Sequence, residues 1–292
     1  MKNPVFTGVC TALVTPFLQG KVNYPMLEQL IRRQTEAGIE AVVISGTTGE
    51  SPTLSDLEKL SMIQRAKDFA GDSCTIIAGT GSNCTEHAIA LSRAAEDAGA
   101  DALLVVTPYY NKATQEGLYQ YYAAIAGSVH IPVILYNVPS RTGVDISVDT
   151  CRRLAELPNI AGIKEACGDI SKIARIRQAC PEDFFIWSGN DDQAVAVMAL
   201  GGKGVISVLS NVLPRLTRDL TLAALDGDFD TAADLQLRLL PLTEALFSEV
   251  NPIPVKAAMA LLGYDCGPCR LPLTPVSPEL RTQLETLLRQ LS

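Results

Sequence analysis

An α/β fold closed into a (β/α)8 barrel of the TIM type is what this sequence predicts, and three observations carry the prediction. Eight short runs of β-forming residues recur along the chain, single helical stretches lie between them, and the runs are apolar throughout rather than alternating. Strands buried on both faces and joined by single helices require a parallel sheet with right-handed crossovers. Eight such units close on themselves in about 250 residues, and the chain has 292.

In order, the runs are Gly8 to Val14, Ala41 to Ile44, Thr75 to Ala78, Ala102 to Val106, Val133 to Tyr136, Gly162 to Lys164, Phe184 to Trp187 and Gly204 to Val208. Between the second and third, Ser55-Asp56-Leu57-Glu58 reads as a capping box that opens a helix running to about Ala70. Ala37-Gly38 marks a helix end, and the A-G-I-E-A, A-G-A-D-A and L-G-G-K-G-V segments are turns that lead into the second, fourth and eighth strands. From about Leu213 the strands stop, and helices broken by Pro241, Pro252, Pro254, Pro268, Pro272 and Pro275 follow. The expected organisation is a barrel domain over residues 1–225 and a small C-terminal helical appendage over 226–292.

Composition narrows the function. Hydrophobic residues make up 47% and charged residues 19%, a globular profile with a net charge of −8. No dense basic cluster is present, so neither nucleic acid nor an anionic membrane is an expected partner. The eight cysteines are scattered without a disulfide framework, which suits a reducing compartment and predicts a cytoplasmic protein. The uncharged segment from Gly117 to Ser140 is divided by Gly127, Pro132 and Pro139 into a helix and a strand, and the N-terminus lacks a signal-peptide pattern.

In barrels of this type the reacting groups come from the C-terminal ends of the strands and the loops that follow. Strand two leads into Gly46-Thr47-Thr48-Gly49-Glu50, strand four into Thr107-Pro108-Tyr109-Tyr110-Asn111, and strand five into Tyr136-Asn137-Val138-Pro139-Ser140-Arg141. Strand six ends in Lys164-Glu165, strand seven runs into Ser188-Gly189-Asn190-Asp191, and strand eight carries Ile206-Ser207. Polar groups therefore gather at one face. Lys164 closes an apolar run, and an amine held there out of water is the nucleophile that a Schiff base requires. Tyr136, one strand earlier, is placed to carry its protons. The two glycines of G-T-T-G-E free backbone N–H groups for a carboxylate, and Arg141, in a loop constrained by Pro and Gly, suits a second one. Cys266-Gly-Pro-Cys269 lacks the preceding strand of a redox motif, and His87 and His130 stand too far apart in sequence for a metal centre, so no metal is expected.

Gly46 to Ser51 (G-T-T-G-E-S), Thr107 to Asn111 (T-P-Y-Y-N), Tyr136 to Gly143 (Y-N-V-P-S-R-T-G) and Gly162 to Ala166 (G-I-K-E-A) together resemble the dihydrodipicolinate synthase family, within the pyruvate-dependent class I aldolases. The likeness spans nearly the whole chain. Lys164 and G-T-T-G-E are shared with the wider superfamily, whereas Tyr110 and the R-T-G of Arg141 point to the synthases. The resemblance implies a lyase that condenses pyruvate with L-aspartate 4-semialdehyde through a Schiff base on Lys164, without a cofactor, in lysine and diaminopimelate biosynthesis. It implies that Tyr136, Thr47 and Tyr110 form a proton relay, Tyr110 arriving from a neighbouring subunit. Thr48 and the main chain of Ile206 would hold pyruvate, and Arg141 would hold the semialdehyde. A homotetramer built as a dimer of dimers follows.

Departures are implied too. Asn190 stands where the family commonly has aspartate, and Cys167 where threonine or serine is frequent. The lysine-effector site of the family maps to Ser51, Asn83, His87 and Tyr109. Histidine at position 87 cannot supply the acidic charge of lysine-sensitive relatives, so weak or absent feedback inhibition is expected. Two other readings compete with the synthase: an aldolase for a sugar-derived 2-keto acid, and a barrel that has lost catalysis. A phosphate-binding isomerase is disfavoured by the acidic Asn190-Asp191-Asp192 segment.

Overall fold

The computed structural model describes residues 1–291. Eight strands, β1 (Gly8–Ala12), β2 (Ala41–Ile44), β3 (Thr75–Gly79), β4 (Ala102–Val106), β5 (Val133–Asn137), β6 (Ile160–Glu165), β7 (Phe185–Ser188) and β8 (Gly204–Ser207), pair in parallel in chain order. β8 returns to β1, so the sheet closes into a barrel. The predicted fold class is the observed one.

Around the barrel lie α1 (Tyr24–Glu36), α2 (Asp56–Ala70), α3 (Thr85–Asp97), α4 (Gln115–Ala126), the short α5 (Pro139–Thr142), α6 (Val148–Ala155), α7 (Ile170–Ala179), α8 (Ala194–Ala199) and α9 (Pro214–Leu225). The capping box forms as expected: Ser55 and Glu58 each satisfy the other's backbone N–H at the start of α2. Beyond the barrel come α10 (Phe229–Phe247), α11 (Ile253–Leu261) and α12 (Pro278–Leu291). No helix among the described residues is long and apolar enough to cross a membrane. A small antiparallel hairpin, Phe17–Leu18 with Lys21–Val22, was not legible in the sequence, because two-residue strands carry no periodicity.

The core has two layers, which follows from strands apolar on both faces. One fills the barrel, with Cys10, Val43, Ile77, Leu104, Ile134 and Trp187 among its members. The other lies between the barrel and the helices and holds Val9, Val42, Ile76, Leu103, Val133 and Ile186. At β6 the alternation breaks. Ala161 belongs to the inner layer and Ile160 and Ile163 to the outer one, and the register with β5 shifts there, with Val133 facing Ile160 but Ile134 facing Gly162. Strict alternation from Ala161 would turn Glu165 inward and Lys164 outward. The one-residue irregularity reverses that parity and aims Lys164 into the barrel. Gly162 is needed there, because a Cβ would lie 1.9 Å from the Phe185 carbonyl oxygen.

Candidate active site

Lys164 stands opposite Tyr136 in the β5–β6 register. Both are buried, at 5% and 7% exposure. The Lys164 ammonium lies 4.3 Å from the centre of the Tyr136 ring, over its face. It forms no hydrogen bond or ion pair with any other described residue. Close packing at the barrel mouth depends on Gly189, where a Cβ would meet Ala166 Cβ at 2.6 Å and Lys164 Cε at 3.2 Å.

A cavity of about 620 Å³ is lined by Thr47, Tyr136 and Arg141; Lys164 lies behind Tyr136 and is not part of its lining. Thr47 is half-buried in the loop after β2. Arg141 is exposed and sits on α5, a helical turn rather than the constrained loop expected from the sequence; Pro139 opens that turn and Gly143, at φ 70°, ends it. Pro at a first helical position is already set for the helix, so the same residues that read as a loop make a turn of helix. Thr48 is buried, and its hydroxyl accepts a hydrogen bond of 2.9 Å from Asn251 Nδ2. Ile206 is 1% exposed and faces Cys10.

The turn after Ile206 is held by Asp191, a buried carboxylate that accepts from the N–H groups of Val208 at 2.9 Å and Leu209 at 3.1 Å. Burial pushes its pKa up, against those hydrogen bonds. Its neighbour Asn190 donates instead to Gln193 at 3.2 Å. At Cys167 the sulfur accepts the Asp169 N–H at 3.4 Å, a weaker form of the bond a hydroxyl would make.

The same cavity extends along Ser51, His87 and Tyr109. Asn83 does not line it; its carbonyl accepts from Asn111 at 2.9 Å. An acid the sequence did not place at the effector end is Asp56, which lines it and meets His87 Nε2 at 2.8 Å and Lys59 at 3.6 Å. Asp56 precedes His87 by 31 residues, a pairing that only the fold creates. Tyr110 is apart from all of these within one chain: it is 91% exposed and carries a φ of 74°. A bulky residue in the left-handed region is strained, and such strain clusters at functional positions.

Sequence reasoning missed the groups that hold these loops. Glu50 and Lys256 form a fully buried pair at 3.0 Å. The Lys256 ammonium also donates to the Thr15 carbonyl at 3.1 Å and the Pro268 carbonyl at 3.2 Å. Arg270 donates its N–H to Glu50 and its guanidinium to Glu58, so the C-terminal segment binds the G-T-T-G-E loop from outside the barrel. A signal existed for Lys256, the single charge in the apolar helix I-P-V-K-A-A-M-A-L.

The family model for the dihydrodipicolinate synthetase family matches residues 5–291. The 4-hydroxy-tetrahydrodipicolinate synthase of Acetivibrio thermocellus is 50% identical over 277 residues, which cover 95% of this chain and 94% of that one. The crystal structure of dihydrodipicolinate synthase from Aquifex aeolicus superposes with a TM-score of 0.96 at 46% identity, over 98% of each chain. A chloride-inhibited dihydrodipicolinate synthase from Acinetobacter baumannii, complexed with pyruvate, gives 0.95 at 46% identity over 97% of this chain and 98% of that one. A family match over almost the full length, joined to half-identity with a curated relative, places this chain in the dihydrodipicolinate synthetase family.

Proposed function

We propose that the chain is a lyase that condenses pyruvate with L-aspartate 4-semialdehyde to give 4-hydroxy-tetrahydrodipicolinate. The observation that carries this reading is the Lys164 amine, buried in the barrel against Tyr136 and in hydrogen-bond or ion-pair contact with no carboxylate. Once it has given up a proton, that amine can attack the pyruvate carbonyl, and loss of water gives the imine. Loss of a methyl proton turns the imine into an enamine, whose carbon attacks the aldehyde. Cyclisation then releases the product and restores the amine.

Tyr136 is the group beside the amine that can exchange these protons, with Thr47 across the cavity. Thr48, fixed by Asn251, and the main chain at Ile206 hold the pyruvate carboxylate side, and Arg141 at the rim takes the carboxylate of the semialdehyde. Tyr110 completes the relay in a neighbouring subunit. Its near-complete exposure and strained backbone fit a residue built to be used across an interface. The assembly in this reading is a homotetramer made of two such dimers, working in the cytoplasm. The barrel region, residues 1–225, supplies the chemistry, and Asn251, Lys256 and Arg270 of the C-terminal helical region, residues 226–292, brace the loop that carries Thr47 and Thr48.

At the effector end, Asp56 is already engaged by His87 and Lys59. An incoming ammonium would have to displace both, so feedback inhibition by lysine is weak or absent. Potent inhibition by sub-millimolar L-lysine would refute that part.

The test of the main reading is borohydride reduction with pyruvate, followed by peptide mass analysis. A stable adduct on Lys164 is expected, with consumption of the semialdehyde rather than a sugar aldehyde. Absence of the adduct overturns the Schiff-base chemistry, and consumption of a sugar aldehyde instead moves the chain to the runner-up aldolase class.

A further inference from the structure

We propose that Lys172, on α7 and outside the cavity, is a positioning residue for the aldehyde-binding half of the site; the inference rests on the function just given. Alternation along the two central strands dictates where to look. Tyr136 and Lys164 face into the barrel, so their successors Asn137 and Glu165, paired in the same register, face outward toward the helices. Both are buried, at 0% and 3% exposure.

A buried carboxylate and a buried amide must find partners, and here they find one another. Asn137 Nδ2 donates to Glu165 Oε1 at 2.7 Å and to Asp145 Oδ1 at 2.7 Å, and its own oxygen accepts the Ile146 N–H at 3.0 Å. Glu165 Oε1 also accepts the Cys167 N–H at 2.9 Å. Its other oxygen has no hydrogen bond and faces the Lys172 ammonium at 3.3 Å. Lys172, with a side chain 7% exposed, closes the circuit by pairing with Asp145.

The circuit has a geometric consequence. Asn137 and Asp145 are the two feet of the excursion that contains α5 and Arg141, and the Asn137–Asp145 bond ties those feet together. Glu165 fastens the tie to the strand bearing Lys164, and Lys172 fastens it to α7. Arg141 itself is exposed and has no such anchor of its own. Lys172 therefore fixes Arg141 relative to Lys164 without touching either. Removing its charge leaves Glu165 buried against an empty face, and the knot must loosen.

The experiment is steady-state kinetics on full-length wild type, Lys172→Met, Lys172→Arg and Asp145→Ala, with borohydride trapping of pyruvate run in parallel. Lys172→Met is expected to lower kcat/KM for the semialdehyde by about 100-fold, the scale of an approximately 1 Å misplacement. Most of the loss should lie in the KM for the semialdehyde, while KM for pyruvate stays within about threefold, because Arg141 moves and the amine keeps its strand. Lys172→Arg should recover most of the loss. Should Lys172→Met fail to fold, Asp145→Ala, at a half-exposed carboxylate, carries the same test with a smaller rise in that KM.

Equal loss for both substrates, no rescue by arginine, or an unchanged KM in Asp145→Ala overturns the proposal. Failure of the function is separable: the wild type would then show no adduct on Lys164 at all.

Discussion

Two buried lysines at the top of the barrel each lie over an aromatic ring, Lys256 over Phe17 at 4.5 Å and Lys164 over Tyr136 at 4.3 Å, and differ in what else they touch. Lys256 sits beneath the C-terminal segment with each of its three N–H groups aimed at an acceptor: a carboxylate at 3.0 Å and two carbonyls at 3.1 and 3.2 Å. Lys164 sits inside the barrel with none, resting on an aromatic face. An amine with no fixed acceptor has no hydrogen bond to break before it can react. Fixed acceptors on all three N–H groups hold an ammonium in one place. The difference separates a lysine that holds loops from the one proposed to react, and burial alone would not have separated them.

The contrast can be broken most directly at its reactive end. Lys164→Ala should lower turnover by roughly 10⁴-fold or more, the scale on which removal of a covalent nucleophile is felt. Its circular dichroism and melting should match wild type, since no described partner is left stranded. Residual turnover above that level would mean another group does the chemistry.

Tyr136→Phe tests whether the ring's hydroxyl matters or only its face. Loss of a positioned proton carrier predicts a fall in kcat of about 10²–10³-fold, with the pyruvate adduct still forming, slowly, on Lys164. A variant with wild-type kcat would reduce Tyr136 to packing.

At the structural end, Lys256→Met strands Glu50, whose side chain is fully buried. A loss of about 3–5 kcal/mol in denaturant unfolding is expected, the cost of an unpaired buried charge. If stability changed by less than about 1 kcal/mol, the two lysines would not differ in the way described.

A smaller effect sharpens the picture. Arg270 beside Glu58 holds that carboxyl down at about 2, from an ordinary 4.5. A carboxyl lowered by folding stabilises the native state above its unfolded value and loses that contribution as pH falls. The C-terminal segment should therefore loosen between about pH 4.5 and 2. Melting followed against pH is the measurement, and Arg270→Leu should flatten the acid limb. An unaltered limb would show that the pair is silent.

Legibility in the sequence followed the range of the interaction. Strands could be read because each is an unbroken apolar run, and the helix at Asp56 because its capping box is local. The buried Lys164 could be read because an apolar run ended in it. The α5 turn was hidden, since Pro and Gly punctuate loops and short helices alike. Asp56 beside His87, Asn251 on Thr48 and Lys256 on Glu50 were hidden for another reason. They join residues 31, 203 and 206 positions apart, and nothing within a window of sequence records such a meeting. Lys172 lay between: its spacing with Ile173 and Ile176 puts it on the buried face of α7, but not against which acid.

By itself the sequence determined the number and order of the barrel strands, the end of the barrel where polar groups gather, and the buried lysine near the end of β6, because those depend on local polarity and turn chemistry. Tertiary structure alone decided which way that amine points. The one-residue slip at Gly162 inverts the parity of β6, and only the neighbouring strand's register, with the Phe185 carbonyl pressed against the glycine, makes the slip visible.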